Sequence, residues 1–504
     1  MKLLPFAVVT SFLLTTYVVV ARTVKIEIAH TTDVHGAYFP HDFITDSEAT
    51  GSLARVCSAV NQLRTDSTSN LILLDNGDIL QGQPTAYYFN YEDTITPHLA
   101  ARILDFMGYD AVGVGNHDVE TCRPTLQRYA ATLYCPMVAA NIIDRSTGKP
   151  LFEPYKIIER DGVKVAVIGL ITPAIPAWLP ENVWHNLEFR DMEETAREWI
   201  PIIKHTEHPH AIVGLFHSGQ AGNVLNGFKE NASAEVATNV PGFDAIMMGH
   251  DHRRELRKTV NCNGDSVLLI NPANAANHLA ITTLTLNIDD NSGLLQSKRV
   301  DGRIIDMAEY KPDSLFMATF GSDADAVSAY VKAPVGEIEE TITTRDAYFG
   351  PSAFVDLVHK LQLAISGAEI SMTSPLAFDA EIKKGKITVG DMFNLYKYEN
   401  LLYVIDMSGQ EIKDYLEMSY DLWTRQMSTP DDEFLRFKSQ RQEGDASRAS
   451  LEYPSYTLDS AAGIIYEVDV TKPRGEKIKI LSMADGTPFD YDRHYRVATN
   501  SYRA

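Results

Sequence analysis

The stretch that decides the fold is Val24-Lys25-Ile26-Glu27-Ile28-Ala29-His30-Thr31-Thr32-Asp33-Val34-His35-Gly36. Its first part, Val24–Ala29, has β-branched residues at alternate positions, which predicts a strand. The pair Asp33-x-His35 follows soon after the strand. A carboxylate and an imidazole are both ligands for divalent cations, and both would face one site if the chain turns at this point.

Four more motifs of this kind follow in the first half of the chain, and each comes directly after an apolar run. They are Gly77-Asp78, Gly115-Asn116-His117-Asp118, His217-Ser218-Gly219 and Gly249-His250-Asp251-His252. Any one of them alone is uninformative, because turns are rich in such pairs. Five in succession, each at a predicted strand end, indicate a functional site rather than chance.

The donors in these motifs indicate a site for two divalent metal ions. Mixed imidazole, carboxylate and amide ligands suit Mn, Zn or Co, and also Fe or Ni, better than Mg alone. Two ions about 3.5–4 Å apart stabilise both the attacking and the leaving oxygen of a displacement at phosphorus. The predicted ligands are Asp33, His35, Asp78, Asn116, His217, His250 and His252.

Strand candidates alternate with amphipathic segments from Val24 to about residue 285, which predicts an α/β domain. The candidates include Leu71–Leu74, Ala111–Val114, Met137–Ala140, Val163–Leu170, Ala211–Phe216, Ala245–Met248 and Val267–Ile270. In such sheets, ligands bind beyond the carboxyl ends of the strands. All five motifs fall at these ends.

Composition limits the possible partners. The chain has 504 residues and a formal net charge of −22. A surface this negative repels nucleic acid backbones, so we expect no nucleic acid polymer as a partner. Small phosphate esters remain compatible, because bound cations reverse the local field. The length predicts two or three domains.

Residues 1–21 resemble a secretory signal peptide, with Lys2, an apolar run and the small residue Ala21. The alternative is an uncleaved membrane anchor, since about 18 apolar residues can just span a bilayer. After cleavage we expect no stable membrane span and an exported protein, periplasmic or extracellular. Cys122 and Cys135 could form a disulfide there, although four free thiols are the preferred expectation.

We expect three further segments after residue 21. Residues 22–309 form the domain that carries the motifs. Residues 310–334 form a linker with a connecting helix, since Met317–Lys332 has helical spacing. Residues 335–504 form a second domain. Within it, Ser428–Ala449 is polar and charged, which predicts a long loop.

The motifs resemble those of calcineurin-like metallophosphoesterases. More narrowly, Ile28–Gly36, Asn76-Gly77-Asp78 and Gly115–Asp118 resemble the secreted 5'-nucleotidase family, which includes UDP-sugar hydrolases and 2',3'-cyclic-nucleotide phosphodiesterases. The resemblance implies a two-sheet αββα sandwich and a smaller α+β C-terminal substrate domain. It also implies one ion on Asp33, His35, Asp78 and His252, and another on Asp78, Asn116, His217 and His250.

The same resemblance implies that His117 stabilises the transition state and assists the leaving group. A histidine in that role needs a carboxylate to orient it. Asp118 and Glu120 are both candidates, and Glu120 is favoured. Asp118 has an alternative role as an acidic residue at a helix N-terminus.

Residues 335–504 resemble the C-terminal domain of that family through Lys386–Asp391 and Ser408–Glu417. This domain implies two aromatic residues that stack on a base, here Tyr398 and Tyr502. The chain has Ser374–Asp379 where many relatives have a Gly-Gly-Ile-Arg turn, so the expected arginine is missing unless Lys383, Lys384 or another residue replaces it. The end at Ala504 suggests a truncated product. The implied substrates are 5'-nucleotides, 2',3'-cyclic nucleotides or another phosphate ester; the alternative is a weakly catalytic nucleotide-binding protein.

Overall fold

The computed structural model describes residues 21–65, 70–222, 224–289, 292–377, 379–395, 401–438, 451–501 and 503. The predicted signal peptide lies outside these residues except for Ala21. Tyr398 and Tyr502 also lie outside them, as do residues 439–449, the second half of the predicted Ser428–Ala449 loop. Among the described helices, none is long and apolar enough to cross a membrane.

The first sheet has five strands and contains the stretch that opens the domain. Its order is Leu295–Asp306, His278–Asp289, Ala21–Thr31, Asn70–Asp75 and Ala111–Val112. The strand Ala21–Thr31 is central, antiparallel to His278–Asp289 and parallel to Asn70–Asp75. The carboxyl ends of the parallel strands therefore meet at one edge of this sheet.

The second sheet has six strands. Its order is Arg254–Val260, Ser266–Pro272, Ala245–Met248, Ala211–His217, Val163–Ile171 and Tyr155–Arg160. The middle four strands run parallel to one another. Their continuous burial explains why they read as unbroken apolar runs in the sequence.

The two sheets pack face to face through a buried core. Ile26, Ile28 and Ile72 of the first sheet belong to the same cluster as Val213 and Met247 of the second. The outer face of the first sheet is covered by the helices Leu53–Thr65, Leu99–Met107, Cys122–Thr132 and Ser314–Val331, and that of the second by Met192–Glu207 and Ser233–Asn239. The architecture is the αββα sandwich that the resemblance implied.

The second domain is smaller and mixes helices with a four-stranded sheet. The sheet order is Leu402–Ser408, His494–Asn500, Ile370–Thr373 and Ser460–Ala462. The helix Gly409–Trp423 packs on it through Ile412 and Leu416. A capping box at Ser408 and Glu411 begins this helix. The other main elements are the helices Ala353–Ser366 and Val389–Leu395 and the strands Pro334–Ile338, Gly385–Thr388, Ile464–Val468 and Ile478–Met483.

The expected connecting helix is present as Ser314–Val331. Phe316 and Phe320 place it in the core of the first domain rather than in a free linker. After it, the backbone N–H of Val389 donates to the carbonyl of Ala333 at 3.0 Å. The helix therefore belongs structurally to the first domain and leads directly into the second.

Some sequence expectations differ from the structure in detail. Met137–Ala140 forms no strand; the run makes only isolated bridges, Met137 with Val112 and Val138 with Glu153. The strand expected at Ala111–Val114 is limited to Ala111–Val112. All four cysteines are free thiols.

The remaining short elements are His41–Asp42, Ser47–Glu48, Pro84–Tyr87, Tyr88–Glu92, Asn116–Glu120, Ile142–Asp144, Lys149–Pro150, Ile175–Trp178, Leu187–Phe189, Val224–Leu225, Phe228–Lys229, Met307–Glu309, Ile342–Thr343, Arg345–Tyr348, Glu381–Ile382 and Ser455–Thr457.

Candidate metal centre

The five motifs meet at one edge of the sandwich, where loops from the two sheets are hydrogen-bonded to one another. The backbone N–H of Asp33 donates to the carbonyl of Gly77 at 2.9 Å, and that of His35 donates to the carbonyl of Asp78 at 3.0 Å. The backbone N–H of His250, from the second sheet, donates to the Asp33 carboxylate at 3.0 Å. The structure thus brings together residues that are more than 200 positions apart.

Five of the predicted ligands have a backbone conformation that L-residues rarely adopt. The φ angles are +50° at Asp33, +49° at His35, +55° at Asp78, +74° at His250 and +54° at His252. Each such residue costs about 1–3 kcal/mol unless its surroundings compensate. Strain at this many neighbouring positions is typical of a functional site, where the direction of the side chain matters more than local stability.

Asp33, His35 and His252 form a first cluster, in which a ligand atom from each lies within 4.8 Å of the others. His35 Nε2 is 3.0 Å from His252 Nε2, and His252 Nε2 is 3.3 Å from Asp33 Oδ1. The other ring nitrogen of His35 lies 2.9 Å from the carbonyl of Gln81. That carbonyl can only accept, so Nδ1 donates and Nε2 faces the cluster with its lone pair.

Asp78, His217 and His250 form a second cluster of the same kind. His217 Nε2 lies 3.1 Å from Asp78 Oδ2. Asn116 joins this cluster, because its Oδ1 lies 2.8 Å from His250 Nδ1 and 3.2 Å from His217 Nε2. The two clusters adjoin, since His217 Nε2 is only 3.9 Å from Asp33 Oδ1.

The electrostatics of the centre favour positive charge. Burial by itself would lower the pKa of His217, but the carboxylates of Asp78 and Asp33 raise it to about 10. Burial would raise the pKa of Asp33, but His217 and His252 lower it to about 2. Two fully buried carboxylates therefore create a negative potential that a cation must neutralise.

The donor set fits divalent metal ions. His217 Nδ1 lies 2.8 Å from the carbonyl of Asn76, so Nδ1 donates and Nε2 is the atom that faces the cluster. Because the pKa of His217 is raised to about 10, Nε2 carries a proton toward Asp78 Oδ2 in the metal-free protein. A divalent ion can replace this proton, and Nε2, Asp78 Oδ2 and Asn116 Oδ1 are then all available as ligands.

His117 lies beside the clusters on the short helix Asn116–Glu120. Its Nδ1 is 2.5 Å from Glu120 Oε2, and its ring centroid is 5.5 Å from that of His35. Burial lowers the pKa of His117, but Asp78 and Glu120 raise it to about 9. About a third of the His117 side chain is exposed, so it can reach a bound substrate.

Asp118 has a different environment from Glu120, although both were candidate partners for His117. One of its oxygens accepts from the backbone N–H groups of Asp78 at 2.9 Å and Gly115 at 2.8 Å. The other accepts from those of Ile79 and Leu80, both at 3.1 Å. Both oxygens are therefore engaged in holding the loop of Asp78 against the start of the helix.

Sequence reasoning missed several residues that support the centre. The carboxylate of Asp251 accepts from Asn271 Nδ2 at 2.9 Å and from the backbone N–H of Gln220 at 3.3 Å, which ties two motif loops together. Glu230 lies 3.2 Å from His250, and the Trp178 ring packs at 5.5 Å from the same imidazole. No local pattern marks Glu230 or Trp178; only the position of Asp251 inside a motif was a signal.

The altered turn of the second domain has its own ion pair. Arg345 contacts both oxygens of Asp379, each at 2.8 Å. Lys383 pairs with Glu381 at 3.5 Å and is mostly exposed. The hydroxyl of Ser374 donates to the carbonyl of Tyr456 at 3.0 Å. The described part of the turn is thus hydrogen-bonded within its own domain.

A two-sheet sandwich with imidazole, carboxylate and amide donors at its strand ends defines the class of metal-dependent phosphoesterases. Comparison with known families agrees. Residues 26–254 match the family described as calcineurin-like phosphoesterase, and residues 333–504 match the 5'-nucleotidase C-terminal domain. The chain therefore combines a calcineurin-like phosphoesterase domain with a 5'-nucleotidase C-terminal domain. Phosphoesterases of this family use a dinuclear metal centre.

Individual relatives share this organisation. A Salmonella typhimurium protein named 2',3'-cyclic-nucleotide 2'-phosphodiesterase/3'-nucleotidase is 28% identical, over 96% of this chain and 82% of its own length. A Vibrio cholerae 5'-nucleotidase is 25% identical over 79% of this chain and 76% of its own length. The fold resembles a Staphylococcus aureus protein solved with alpha-ketoglutarate, with a TM-score of 0.76 and 22% identity over 95% of this chain and 90% of that chain.

Proposed function

We propose that this protein hydrolyses phosphate esters of nucleotides with two divalent metal ions, Mn, Zn or Co. The observation that carries this proposal is the pair of adjoining three-ligand clusters at the strand ends. When bound, the ions supply Lewis acidity to the phosphoryl group and favour deprotonation of water at neutral pH. Together, the two clusters supply enough ligands for both ions.

The ligand assignment that we propose follows the two clusters. Asp33, His35 and His252 would hold the first ion, and Asn116, His217 and His250 would hold the second. Asp78 would be a ligand of both, since a carboxylate has two oxygens. Its position supports this role, because Asp78 lies 3.1 Å from His217 in the second cluster and is also near enough to His35 in the first to act on its pKa. Burial lowers the pKa of His35 to about 4, and the charge of Asp78 opposes this shift.

His117 is the proposed catalytic residue that acts on the leaving oxygen. Glu120 accepts a hydrogen bond from His117 Nδ1, which orients the ring and leaves Nε2 for the substrate. Asp78 and Glu120 raise the pKa of His117 to about 9 against the effect of burial, which favours the imidazolium. In this cation Nε2 also carries a proton, so it can donate to an oxygen that gains negative charge. Asp118 supports the centre through backbone contacts only.

Nucleotides are the proposed substrate class, and 2',3'-cyclic and 3'-nucleotides come first within it. The coverage of the relatives supports this order. A relative that matches 96% of this chain is named for those substrates, whereas one named 5'-nucleotidase matches 79%. We propose that Tyr398 and Tyr502 stack on the base, as the resemblance implies.

A panel of substrates tests this proposal. Phosphate release or ring opening is measured with 2',3'-cyclic, 3'- and 5'-nucleotides, and with p-nitrophenyl and bis-p-nitrophenyl phosphate as generic monoester and diester. Cleavage of nucleotides with a higher kcat/KM than the generic esters supports the proposal. Cleavage of the generic esters alone would show that the natural substrate is another phosphate ester.

A weakly catalytic nucleotide-binding protein is the remaining alternative. Metal analysis after supplementation with Mn or Zn separates it from an enzyme. Two ions per chain support the enzyme, and fewer than two favour the binding protein. We also propose that residues 1–21 direct export to the periplasm or the exterior, which cell fractionation with and without this segment would test.

A further inference from the structure

The carboxylate of Glu230 contacts the imidazole of His250 on the side that faces away from the metal centre. Glu230 Oε1 lies 3.2 Å from His250 Nε2, and His250 Nδ1 lies 2.8 Å from Asn116 Oδ1 inside the second cluster. A carboxylate only accepts hydrogen bonds, so Nε2 is the donor. Nδ1 is then the atom that keeps a lone pair, and it is the atom aimed at the cluster.

Glu230 is held in place by the same turn that carries another ligand of this cluster, His217. The hydroxyl of Ser218 donates to the carbonyl of Glu230 at 3.3 Å and accepts from the backbone N–H of Ala232 at 3.0 Å. The backbone N–H of Gly219 donates to Asn231 Oδ1 at 2.5 Å, and the hydroxyl of Ser233 donates to the carbonyl of Ser218 at 2.8 Å. These contacts connect the Glu230 segment to the His217 turn.

The packing leaves little freedom at this connection. A Cβ atom on Gly219 would lie 2.6 Å from Asn231 Oδ1 and 2.5 Å from Asp251 Oδ2. A Cβ atom does not approach an oxygen this closely, so the turn, the Glu230 segment and the His250 loop are in close contact. Trp178 packs against the His250 ring, with centroids 5.5 Å apart. The imidazole therefore has defined neighbours on more than one side.

We propose that Glu230 is a positioning residue for the second metal ion: it fixes the ring orientation of His250 and couples that ligand to the turn of His217. This inference rests on the two-ion centre of the proposed function, and it concerns only the second of the two ions. Outer carboxylates that accept from a metal-binding histidine raise metal affinity by about 10–100-fold. Loss of Glu230 should therefore weaken the binding of the second ion and leave the binding of the first ion unchanged.

The test is a titration of metal-free protein with Co²⁺, followed by visible absorption and by the number of ions bound. Glu230→Ala should bind the second ion about 10–100-fold more weakly, with the first ion unchanged. Glu230→Gln keeps an acceptor oxygen and should lose less. Glu235→Ala is the matched control, because this nearby, exposed carboxylate pairs with Lys229 at 2.7 Å rather than with a proposed ligand.

Thermal unfolding of the metal-free variants separates positioning from folding. A Glu230→Ala protein that melts like the wild type and loses affinity for one ion only supports the inference. A Glu230→Ala protein that binds both ions as tightly as the wild type, or that binds both equally weakly, overturns the inference. A wild-type protein that binds fewer than two ions also overturns it. The titration needs no substrate. Failure to cleave nucleotides would thus overturn the proposed function and leave this result standing.

Discussion

His117 and Glu120 lie one helical turn apart, with His117 Nδ1 2.5 Å from Glu120 Oε2. The helix that carries them begins at Asn116, a proposed metal ligand. The backbone N–H of His117 also donates to Asp78 Oδ1 at 2.8 Å. The position of the imidazole is thus tied to the metal centre through the backbone, while its orientation is set by Glu120.

His117→Ala should reduce kcat by about 10²–10⁴-fold and leave the metal content close to that of the wild type. The physical reason is that general acid catalysis contributes this much, whereas His117 belongs to neither ligand cluster. Steady-state kinetics and metal analysis of the same preparation measure both quantities. An equal loss of metal and turnover would contradict a catalytic role.

Asp118→Ala should destabilise the protein, and Glu120→Gln should not. Asp118 is fully buried and accepts from four backbone N–H groups, which would be left unsatisfied at a cost of at least about 3 kcal/mol. Urea unfolding of the metal-free proteins gives the difference. If Asp118→Ala kept its stability but lost kcat, Asp118 rather than Glu120 would be the partner of His117.

Asp78→Asn should reduce the binding of both ions, whereas Asp33→Asn should reduce mainly the first. Asp78 belongs to the second cluster and is the proposed bridge to the first, whereas Asp33 belongs to the cluster of His35 and His252. Isothermal titration with Mn²⁺ distinguishes one weakened site from two. Equal effects of the two substitutions would argue against Asp78 as the bridge.

The seven proposed ligands, which the sequence marks, lie close together in the structure, whereas two of the predicted strands, Ala111–Val114 and Met137–Ala140, differ from it. Asp33 and His35 could be found because they follow a strand within a few residues, and parallel strands bring such ends together. Glu230 could not be found, since its contact with His250 depends on how a loop folds against the His217 turn. The αββα layers came from the resemblance, because strand-helix alternation is also compatible with a single doubly wound sheet.

The error at Met137–Ala140 has a structural reason. The run is apolar and buried, as a strand would be. However, Met137 forms an isolated β-bridge with Val112 of the first sheet. The backbone N–H of Ala140 donates to the carbonyl of Gly169 in the second sheet at 2.8 Å. The segment therefore crosses between the two sheets and forms a ladder with neither. A buried strand and this crossing segment have the same burial and composition, and they differ only in their backbone hydrogen-bond partners.

Acid should destabilise the protein through histidines that are buried in a neutral form. Burial lowers the pKa of His30 and His98 to about 3 and that of His359 to about 4, from 6.5. Below pH 6.5 the unfolded chain binds protons that the folded chain does not. The free energy of unfolding is therefore unaffected by these histidines above pH 6.5. It decreases as pH falls from 6.5 toward 4, by about 1.4 kcal/mol per pH unit for each histidine.

His98→Asn should reduce that slope by about 1.4 kcal/mol per pH unit, because one titrating group is removed. The substitution keeps a cap for the helix Leu99–Met107, since His98 Nδ1 accepts from the backbone N–H of Ala100 and asparagine can do the same. Urea unfolding of metal-free wild type and variant at pH 7.5, 6 and 5 measures the slope. Equal slopes would mean that His98 is already protonated in the folded protein at pH 5.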